Sequence, residues 1–334
     1  MAAPDVDRTD IDERLPGAGW KVIAAKEFGD HLMSVRFMVL LIVLGLAAAI
    51  PLYFAAAQIR SVASDVSGAS AVFVYLFALG APEIQNLSVF EFLGIVAPLL
   101  GLAFAFDAVN GERSEGTLPR LLAQPIYRDD VVNGKFAAGM AVIGVVLVSV
   151  VLFIAAFGLL RLGIVPRPQE VLRLALWVAA TFVYVAVWLA FGLLLSVLIR
   201  RAATAALIGF GIWVVLTLFG GLITQFLGGL LTPGADASAE TILGTIQLQE
   251  MIQRLLPGTI YNEISLVLLR PDVTQLGTPA TIDQFQQAQQ RIPSLFSLDQ
   301  SILLVWPHVV ALVALAVACF VGAYVAFMRQ EVRA

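Results

Sequence analysis

The sequence predicts an all-α membrane protein with six transmembrane helices, an N-terminal interfacial helix and short helices in its polar loops. The chain has 334 residues, of which 60% are hydrophobic and only 13% are charged, and its mean hydropathy is +0.91. Soluble proteins carry about 25% charged residues, so most of this chain is predicted to contact lipid or its own side chains. Six apolar runs are long enough to cross a bilayer, since about 20 helical residues span a hydrocarbon core of about 30 Å.

These runs belong to a predicted membrane domain over residues 20–334, preceded by an acidic tail over residues 1–19 that is predicted to be mobile. The runs are 37–57, 89–106, 137–160, 174–198, 202–222 and 302–328. Small residues allow membrane helices to approach closely. The glycines interpreted in this way are Gly94, Gly101, Gly192, Gly209, Gly211, Gly220 and Gly221.

Two short helices are predicted around the first run. Residues 20–36 place an apolar stripe opposite polar residues such as Lys21 and Asp30. That pattern is typical of a helix lying on the membrane surface, where His31 is interpreted as a packing residue. Residues 71–80 are apolar but too few to cross, which predicts an external or re-entrant helix.

The longest polar loop covers residues 223–301. Residues 238–256 predict an amphipathic helix that Pro257-Gly258 ends, and residues 259–270 predict a second short helix. Residues 275–291 are rich in Gln, Thr and Pro, which indicates a loosely packed connector.

Lysine and arginine counts predict that both termini are cytoplasmic, in the cell (inner) membrane. Thirteen of the 20 basic residues lie in the terminal segments and in the loops on the same side of the bundle. The three opposite loops are longer in sum but contain only seven, and cytoplasmic loops carry the excess of positive charge. A local exception is formed by Arg161, Arg167 and Arg173, which fall in the predicted outer loop 161–173.

A polar island over residues 107–135 separates the second and third runs. Residues 112–123 within it predict a short amphipathic helix, with Gly116-Thr117 as its start. Its apolar stripe consists of Leu118, Leu121 and Leu122. The helix is predicted to end before Pro125, because the residue preceding a proline disfavours helical geometry. A short helix with an apolar face between two spans predicts docking onto a partner outside the bilayer.

The sequence lacks the patterns of common catalytic and nucleotide-binding sites, so no catalytic residue, metal site or bound cofactor is predicted. Gly134-Lys135 is followed by Phe136 and has Asp129 where a phosphate-binding loop needs its leading glycine. HExxH, GxSxG and CxxC are absent, and Cys319 is the single cysteine. A net charge of −4 without a basic face argues against a nucleic-acid partner.

Three polar residues lie at the ends of apolar runs. Glu91 and Asp107 flank the second run and are interpreted as membrane-interface residues. A substrate- or lipid-facing role is the alternative for Glu91. His308 lies near the outer start of the last run and is interpreted as a polar anchor, with a proton relay as the alternative.

The island resembles the signature of ABC-2 type transporter permeases and is similar to their NosY-like branch. Its segment ERSEGTLPRLLAQPIYRDDVVNGK follows the family pattern E-R-x-x-G-T-L-x-x-L-L-x-x-P-x-x-R, with G-K beyond it. The matching residues are Glu112, Arg113, Gly116, Thr117, Leu118, Leu121, Leu122, Pro125, Arg128, Gly134 and Lys135. Segments 26–37, 196–213 and 255–272 and the C-terminus are similar to other parts of the same family.

The resemblance implies a transmembrane permease subunit that works with two separate ABC ATPase subunits and a second permease copy, identical or related. ATP and Mg²⁺ would bind in the ATPase subunits, and the island would carry the cytoplasmic coupling helix. The residues that the resemblance assigns to ATPase coupling are Glu112, Arg113, Gly116, Thr117, Leu118, Arg120, Leu121 and Leu122. Those assigned to support of the loop are Pro125, Arg128, Gly134 and Lys135. The implied activity is movement of an unidentified substrate, with export favoured.

Two other functions remain open on the sequence. A membrane scaffold or mechanotransmission subunit would act on an extracytoplasmic protein through loop 223–301. An ion-driven secondary transporter commonly shows repeated halves and ionisable residues near the membrane midplane. The sequence shows no evident repeat and no clear central charge.

Overall fold

The computed structural model describes residues 19–61, 71–81, 87–117, 127–230, 238–273, 275–277 and 295–330. Six helical segments in these ranges are long and apolar enough to cross a membrane, and each contains one of the predicted runs. They are Val35–Ser61, Val89–Ser114, Arg128–Leu162, Pro168–Leu198, Ala202–Leu230 and Leu298–Arg329. The predicted fold class, an all-α membrane protein, is confirmed.

The helices are numbered here in chain order. They are α1 Gly19–Leu32, α2 Val35–Ser61, α3 Val72–Ala78, α4 Val89–Ala105, α5 Asn110–Ser114, α6 Arg128–Leu162, α7 Pro168–Leu198, α8 Ala202–Val214, α9 Gly220–Leu230, α10 Ala239–Gln253, α11 Pro257–Leu269 and α12 Leu298–Arg329. A π-helical turn, Val215–Phe219, joins α8 and α9 into one span. A two-residue antiparallel pairing of Gly80–Ala81 with Leu87–Ser88 leads into α4.

Helix α7 lies at the centre of the bundle. It packs against α12, α4, α11 and α6, and its inward side chains include Trp177, Tyr184 and Leu189, each at most 2% exposed. The outer sides of α2, α8, α9 and α12 carry many exposed apolar residues. An apolar outer surface around a buried central helix is the arrangement expected of a bundle whose solvent is lipid.

The bundle has two polar ends. At the end called here the loop end, the island meets α1, the end of α7 and Gln330, which follows α12. At the opposite end, α3, α10 and α11 cover the spans. The prediction of His31 as a packing residue is confirmed, since its ring contacts Phe104 edge-to-face at 5.2 Å and burial lowers the pKa of His31.

The helices of loop 223–301 largely match the prediction. Ser238 caps α10 by accepting a hydrogen bond from the Thr241 backbone N–H. The prediction that Pro257-Gly258 only ends this helix is wrong in one respect, because Pro257 is the first residue of α11. Proline is favoured at that position, since the N–H that it lacks has no partner there in any helix.

Arg173 corrects the predicted outer loop 161–173. Arg161 belongs to α6 and Arg173 to α7, so the connection between them is much shorter. The Arg173 side chain is buried and donates to the carbonyls of Leu268 (3.3 Å) and Phe296 (2.6 Å) and to Ser301 Oγ (3.0 Å). The Arg173 guanidinium therefore stabilises the contact of α7 with α11 and α12. Arg173 is a buried helix residue and not part of an outer loop.

His308 joins α12 to α11. Its Nε2 lies 2.7 Å from Glu263 Oε2, and Arg254 Nε lies 3.0 Å from both carboxylate oxygens of Glu263. Burial would raise the pKa of Glu263, but the hydrogen bonds from His308 and Arg254 outweigh it and hold that pKa below its usual value. His308 thus acts as the polar anchor that the sequence predicts.

The glycine predictions are confirmed only in part. A Cβ added at five of the seven would lie 3.2 Å or less from another residue: Gly94, Gly101, Gly192, Gly209 and Gly220. A Cβ at Gly211 or Gly221 would meet nothing within 4 Å. Close packing within this chain therefore does not explain those two glycines.

Several sequence predictions fall outside the described residues. These concern residues 1–18 of the predicted tail, the leucine stripe of Leu118, Leu121 and Leu122, and residues 278–291 of the predicted connector 275–291.

Candidate functional site

The described part of the polar island consists of residues 107–117 and 127–135. The coupling residues Leu118, Arg120, Leu121 and Leu122 and the support residue Pro125 lie outside the described residues. The structure therefore shows how the two flanks of the island are held.

The first flank forms helix α5, which Gly116 terminates. The Gly116 N–H donates to Arg113 O (3.3 Å), and the Thr117 N–H donates to Glu112 O (2.9 Å). Gly116 has φ 68°, and this pair of hydrogen bonds around a left-handed residue is the Schellman motif. Glu112 and Arg113 thus belong to a separate helix that ends before Gly116, and the residues that follow the predicted start at Gly116-Thr117, 118–126, lie outside the described residues. A Cβ at Gly116 would meet nothing within 4 Å, so the backbone conformation is what favours glycine.

Lys135 links both flanks to α1. Its Nζ lies 2.7 Å from Glu112 Oε1 on α5 and 3.1 Å from Glu27 Oε1 on α1. The Lys135 side chain is only 5% exposed, so one buried ammonium lies between two carboxylates from different helices. Lysine in such surroundings is stable only when paired. Lys135 therefore fixes α5 and α1 to the first turns of α6.

Gly134 allows α1 to lie directly against α6. A Cβ at this position would stand 2.7 Å from Ile23 Cβ and 2.9 Å from Trp20 O. Real side chains do not approach so closely, so any larger residue would displace α1. Gly134 and Lys135 therefore both stabilise the contact between α1 and α6. Gly134 allows the helices to pack closely, and Lys135 forms an ion pair with Glu27.

Gln330 connects the island with the ends of two spans. Arg113 Nη2 donates to Gln330 Oε1, and Arg128 Nη1 donates to Gln330 O (3.2 Å). The side-chain amide of Gln330 donates in turn to Val197 O (2.8 Å) near the end of α7. Arg113 and Arg128, one from each flank, therefore meet at one residue.

The start of the island is fixed to α7. Ser196 Oγ accepts the backbone N–H groups of Val109 (2.9 Å) and Asn110 (3.2 Å). The Asn110 side-chain amide donates to Ile199 O (3.1 Å). Asn110 and Ser196 are fully buried, so these bonds replace contacts with water and hold the loop in one position.

A second ion pair fixes the island to α2. Arg36 Nη2 lies 2.8 Å from Asp107 Oδ2, and Arg36 Nη1 donates to Asp107 Oδ1 (3.1 Å) and Ala103 O (2.8 Å). A bidentate arginine–carboxylate pair fixes direction as well as distance. Asp107, which the sequence predicts to lie at the membrane interface, is thus paired with Arg36.

Glu91 lies at the opposite end of the bundle. Its Oε2 accepts hydrogen bonds from the Ser88 N–H and hydroxyl (both 2.8 Å), and Ser88 Oγ accepts the Glu91 N–H (3.3 Å). This capping box stabilises the start of α4 and explains why a carboxylate lies at position 91, next to the apolar run. The structure does not bring Glu91 to the island, and its substrate- or lipid-facing role stays a hypothesis.

Sequence reasoning missed five residues of this site: Glu27, Arg36, Asn110, Ser196 and Gln330. All except Glu27 are polar residues at or near the end of an apolar run, which is the one signal that could have drawn attention to them. Their partners are far away in sequence, so no local pattern could have named them.

Comparison with known proteins decides the family. The family model described as "ABC-2 family transporter protein" matches residues 21–332. The chain belongs to the ABC-2 transporter family. It is also 33% identical over 122 residues to a protein of Stutzerimonas stutzeri described as "Probable ABC transporter permease protein NosY". That match covers 35% of this chain and 42% of the relative's length.

Membership of the ABC-2 transporter family and six candidate spans make this chain a multi-pass membrane protein of that family.

Proposed function

We propose that this ABC-2 chain is the permease of an exporter and that two separate ATPase subunits drive it by docking on residues 112–122. Lys135 carries the proposal, because it ties Glu112 in the island to Glu27 on α1 and to α6. A force applied to α5 would reach both helices through that one side chain. Arg113 and Asn110 extend the same support to α12 and α7.

In the proposed mechanism the ATPase pair closes on binding ATP and Mg²⁺ and displaces the coupling helix. Leu118, Leu121 and Leu122 would form its apolar contact, with Arg120 at the polar rim. A buried ion pair and short hydrogen bonds resist deformation, so the displacement is passed on to the spans. Rigid-body movement of packed helices is a common form of such switching.

The proposed assembly contains a second permease copy, with the loop end of both copies and all termini in the cytoplasm. The substrate would leave the cell, and its identity is a separate question. Helices α10 and α11, on the opposite end, would be available to an extracytoplasmic protein.

Co-purification tests the docking site. The chain is co-expressed with the ABC ATPase encoded nearest to it and purified in mild detergent. We expect Leu121→Asp to reduce the co-purified ATPase about tenfold or more, as truncation of a central interface residue does, and Leu121→Met to leave it unchanged. Glu112→Lys should also reduce it, with Glu240→Lys at the opposite end as the matched charge reversal.

Thermal unfolding of each variant shows whether the chain still folds. Full ATPase binding by folded Leu121→Asp and Glu112→Lys variants would contradict the docking site. Solute movement by the purified chain in vesicles, without any ATPase, would contradict the proposed function as a whole.

A further inference from the structure

Pro98 interrupts the hydrogen bonding of α4 in the middle of a membrane span. Proline has no backbone N–H, so the carbonyl of Gly94, four residues earlier, loses its partner within the helix. An unpaired carbonyl costs several kcal/mol in a lipid environment. Such a break is either a flexible point or a point that neighbouring helices repair.

Helix α7 supplies the donor that the Gly94 carbonyl lacks, and α8 supplies one to the next carbonyl. Tyr184 on α7 donates its hydroxyl to Gly94 O (2.9 Å), and Tyr184 is 0% exposed. Trp213 on α8 donates its indole N–H to Ile95 O (3.0 Å). The carbonyls of the turn preceding Pro98 thus receive side-chain donors from outside α4.

On the loop side of Pro98, α4 and α7 touch through their backbones. A Cβ at Gly101 would stand 2.7 Å from Leu189 N and 2.8 Å from Val185 O. A Cβ at Gly192 would stand 2.9 Å from Ala105 Cβ. The chain following α4 then binds Ser196 at the end of α7, as described above. Helix α4 is therefore held to α7 on both sides of the break.

At the end opposite the loop end, α4 and α7 both contact α11. The Tyr184 ring stacks on Tyr261 of α11, with centroids 4.5 Å apart and planes 12° from parallel. A Cβ at Gly94 would lie 3.1 Å from the Tyr261 ring. Trp177 on α7 also donates its indole N–H to Ser265 Oγ (3.0 Å). Tyr184 thus contacts both the repaired break and the external helix.

We propose that α4 and α7 form one rigid strut, in which Tyr184 replaces the hydrogen bond lost at Pro98 and Trp213 supplies a further donor to the next carbonyl, that of Ile95. The strut carries displacement of the island to α11 on the opposite side of the membrane. Its role in transport rests on the proposed function, and Tyr184 and Trp213 are positioning residues for it. In this arrangement Pro98 leaves the Gly94 carbonyl free to accept a hydrogen bond from Tyr184. The proline therefore does not act as a hinge.

A double-mutant cycle tests the strut in the chain alone, without an ATPase. Thermal unfolding is measured for the purified chain in lipid nanodiscs. We expect Tyr184→Phe to lower the midpoint by a few degrees, because Gly94 O loses its donor. In the Pro98→Ala background the restored N–H binds Gly94 O, so adding Tyr184→Phe should lower the midpoint far less.

Tyr53→Phe, at an exposed tyrosine of α2, is the matched control and should have no effect in either background. If Tyr184→Phe lowers the unfolding midpoint equally with and without Pro98→Ala, the strut is overturned. The tyrosine hydroxyl would then not be replacing the hydrogen bond that Pro98 removes.

Hydrogen exchange of the ATPase complex tests the transmission. We expect trapping with ATP and vanadate to change the exchange of residues 257–269 in the native chain. In the Tyr184→Phe/Trp213→Phe variant that change should be lost, while ATPase binding and hydrolysis are kept. An unchanged response of residues 257–269 in this variant would overturn the transmission. If no ATPase binds the native chain, the proposed function fails, and the double-mutant cycle still decides the strut.

Discussion

At the scale of single residues, Lys135 is the most constrained group of the loop end. It pairs with Glu27 and Glu112, and Glu112 Oε2 is buried without a hydrogen-bond partner among the described residues. Removing the ammonium would leave Glu112 without its ion-pair partner and Glu27 with only the exposed Lys26, 3.7 Å away. Loss of one member of a buried charge cluster costs far more than loss of a surface pair.

We therefore expect Lys135→Met to lower the free energy of unfolding by about 3–5 kcal/mol, measured by denaturation in detergent. Lys26→Met removes an ammonium of the same kind from α1, but the Lys26 side chain is 70% exposed, pairs with Asp30 at 3.1 Å and lies 3.7 Å from Glu27. Its effect should stay within about 1 kcal/mol. Adding Glu27→Gln and Glu112→Gln to Lys135→Met should restore much of the loss. Equal effects of Lys135→Met and Lys26→Met would contradict the buried network.

At the scale of helices, the contact of α1 with α6 depends on Gly134, which has no side chain. Gly134 lets the α1 backbone at Trp20 come within van der Waals distance of α6. Because α1 also contributes Glu27 to the Lys135 network, separating the two helices would weaken the packing and the ion pair together.

Gly134→Ala should destabilise the chain by about 1–3 kcal/mol, the usual cost of overpacking. Gly144→Ala on the same helix provides the comparison, since its Cβ would lie 3.5 Å from the Phe182 ring, an ordinary contact. That substitution should be neutral or slightly stabilising, because glycine weakens a helix interior. Thermal unfolding of the two variants gives the difference, and a Gly144→Ala variant as unstable as Gly134→Ala would show that glycine substitution in α6 is harmful irrespective of α1.

At the scale of the whole molecule, the six spans bring the described parts of the island, helix α1 and Gln330 to one end of the bundle. The opposite end carries α3, α10 and α11. The distribution of basic residues predicts that the loop end is cytoplasmic. Arg173, one of the three basic residues that run against this prediction, is buried in the structure.

Cysteine labelling checks this orientation. In a Cys319→Ala background, Glu240→Cys and Glu115→Cys place exposed thiols at the opposite end and at the loop end. We expect a membrane-impermeant maleimide added to intact cells, with their outer layers made accessible, to label Glu240→Cys. Glu115→Cys should react only after the inner membrane is opened. The reverse pattern would place the island outside the cell and contradict ATPase docking.

The sequence by itself determined the spans, because crossing a membrane imposes a length and a hydropathy that a single segment must satisfy alone. It also located the island and its family pattern, since these are contiguous in the chain. Local signals were less certain at helix ends. Gly116 was assigned to a helix start and Pro257 to a helix stop, because both residue types mark boundaries and the side of the boundary depends on neighbouring backbone.

Only the tertiary structure decided which distant residues meet. Lys135 pairs with a glutamate 108 positions away, Arg173 binds carbonyls of α11 and of the segment before α12, and Tyr184 repairs the break at Pro98. Each of these groups needs a partner because burial removes water, but many polar residues could have supplied one. The choice among them is fixed by how the helices pack, and that geometry is not written in any single stretch of sequence.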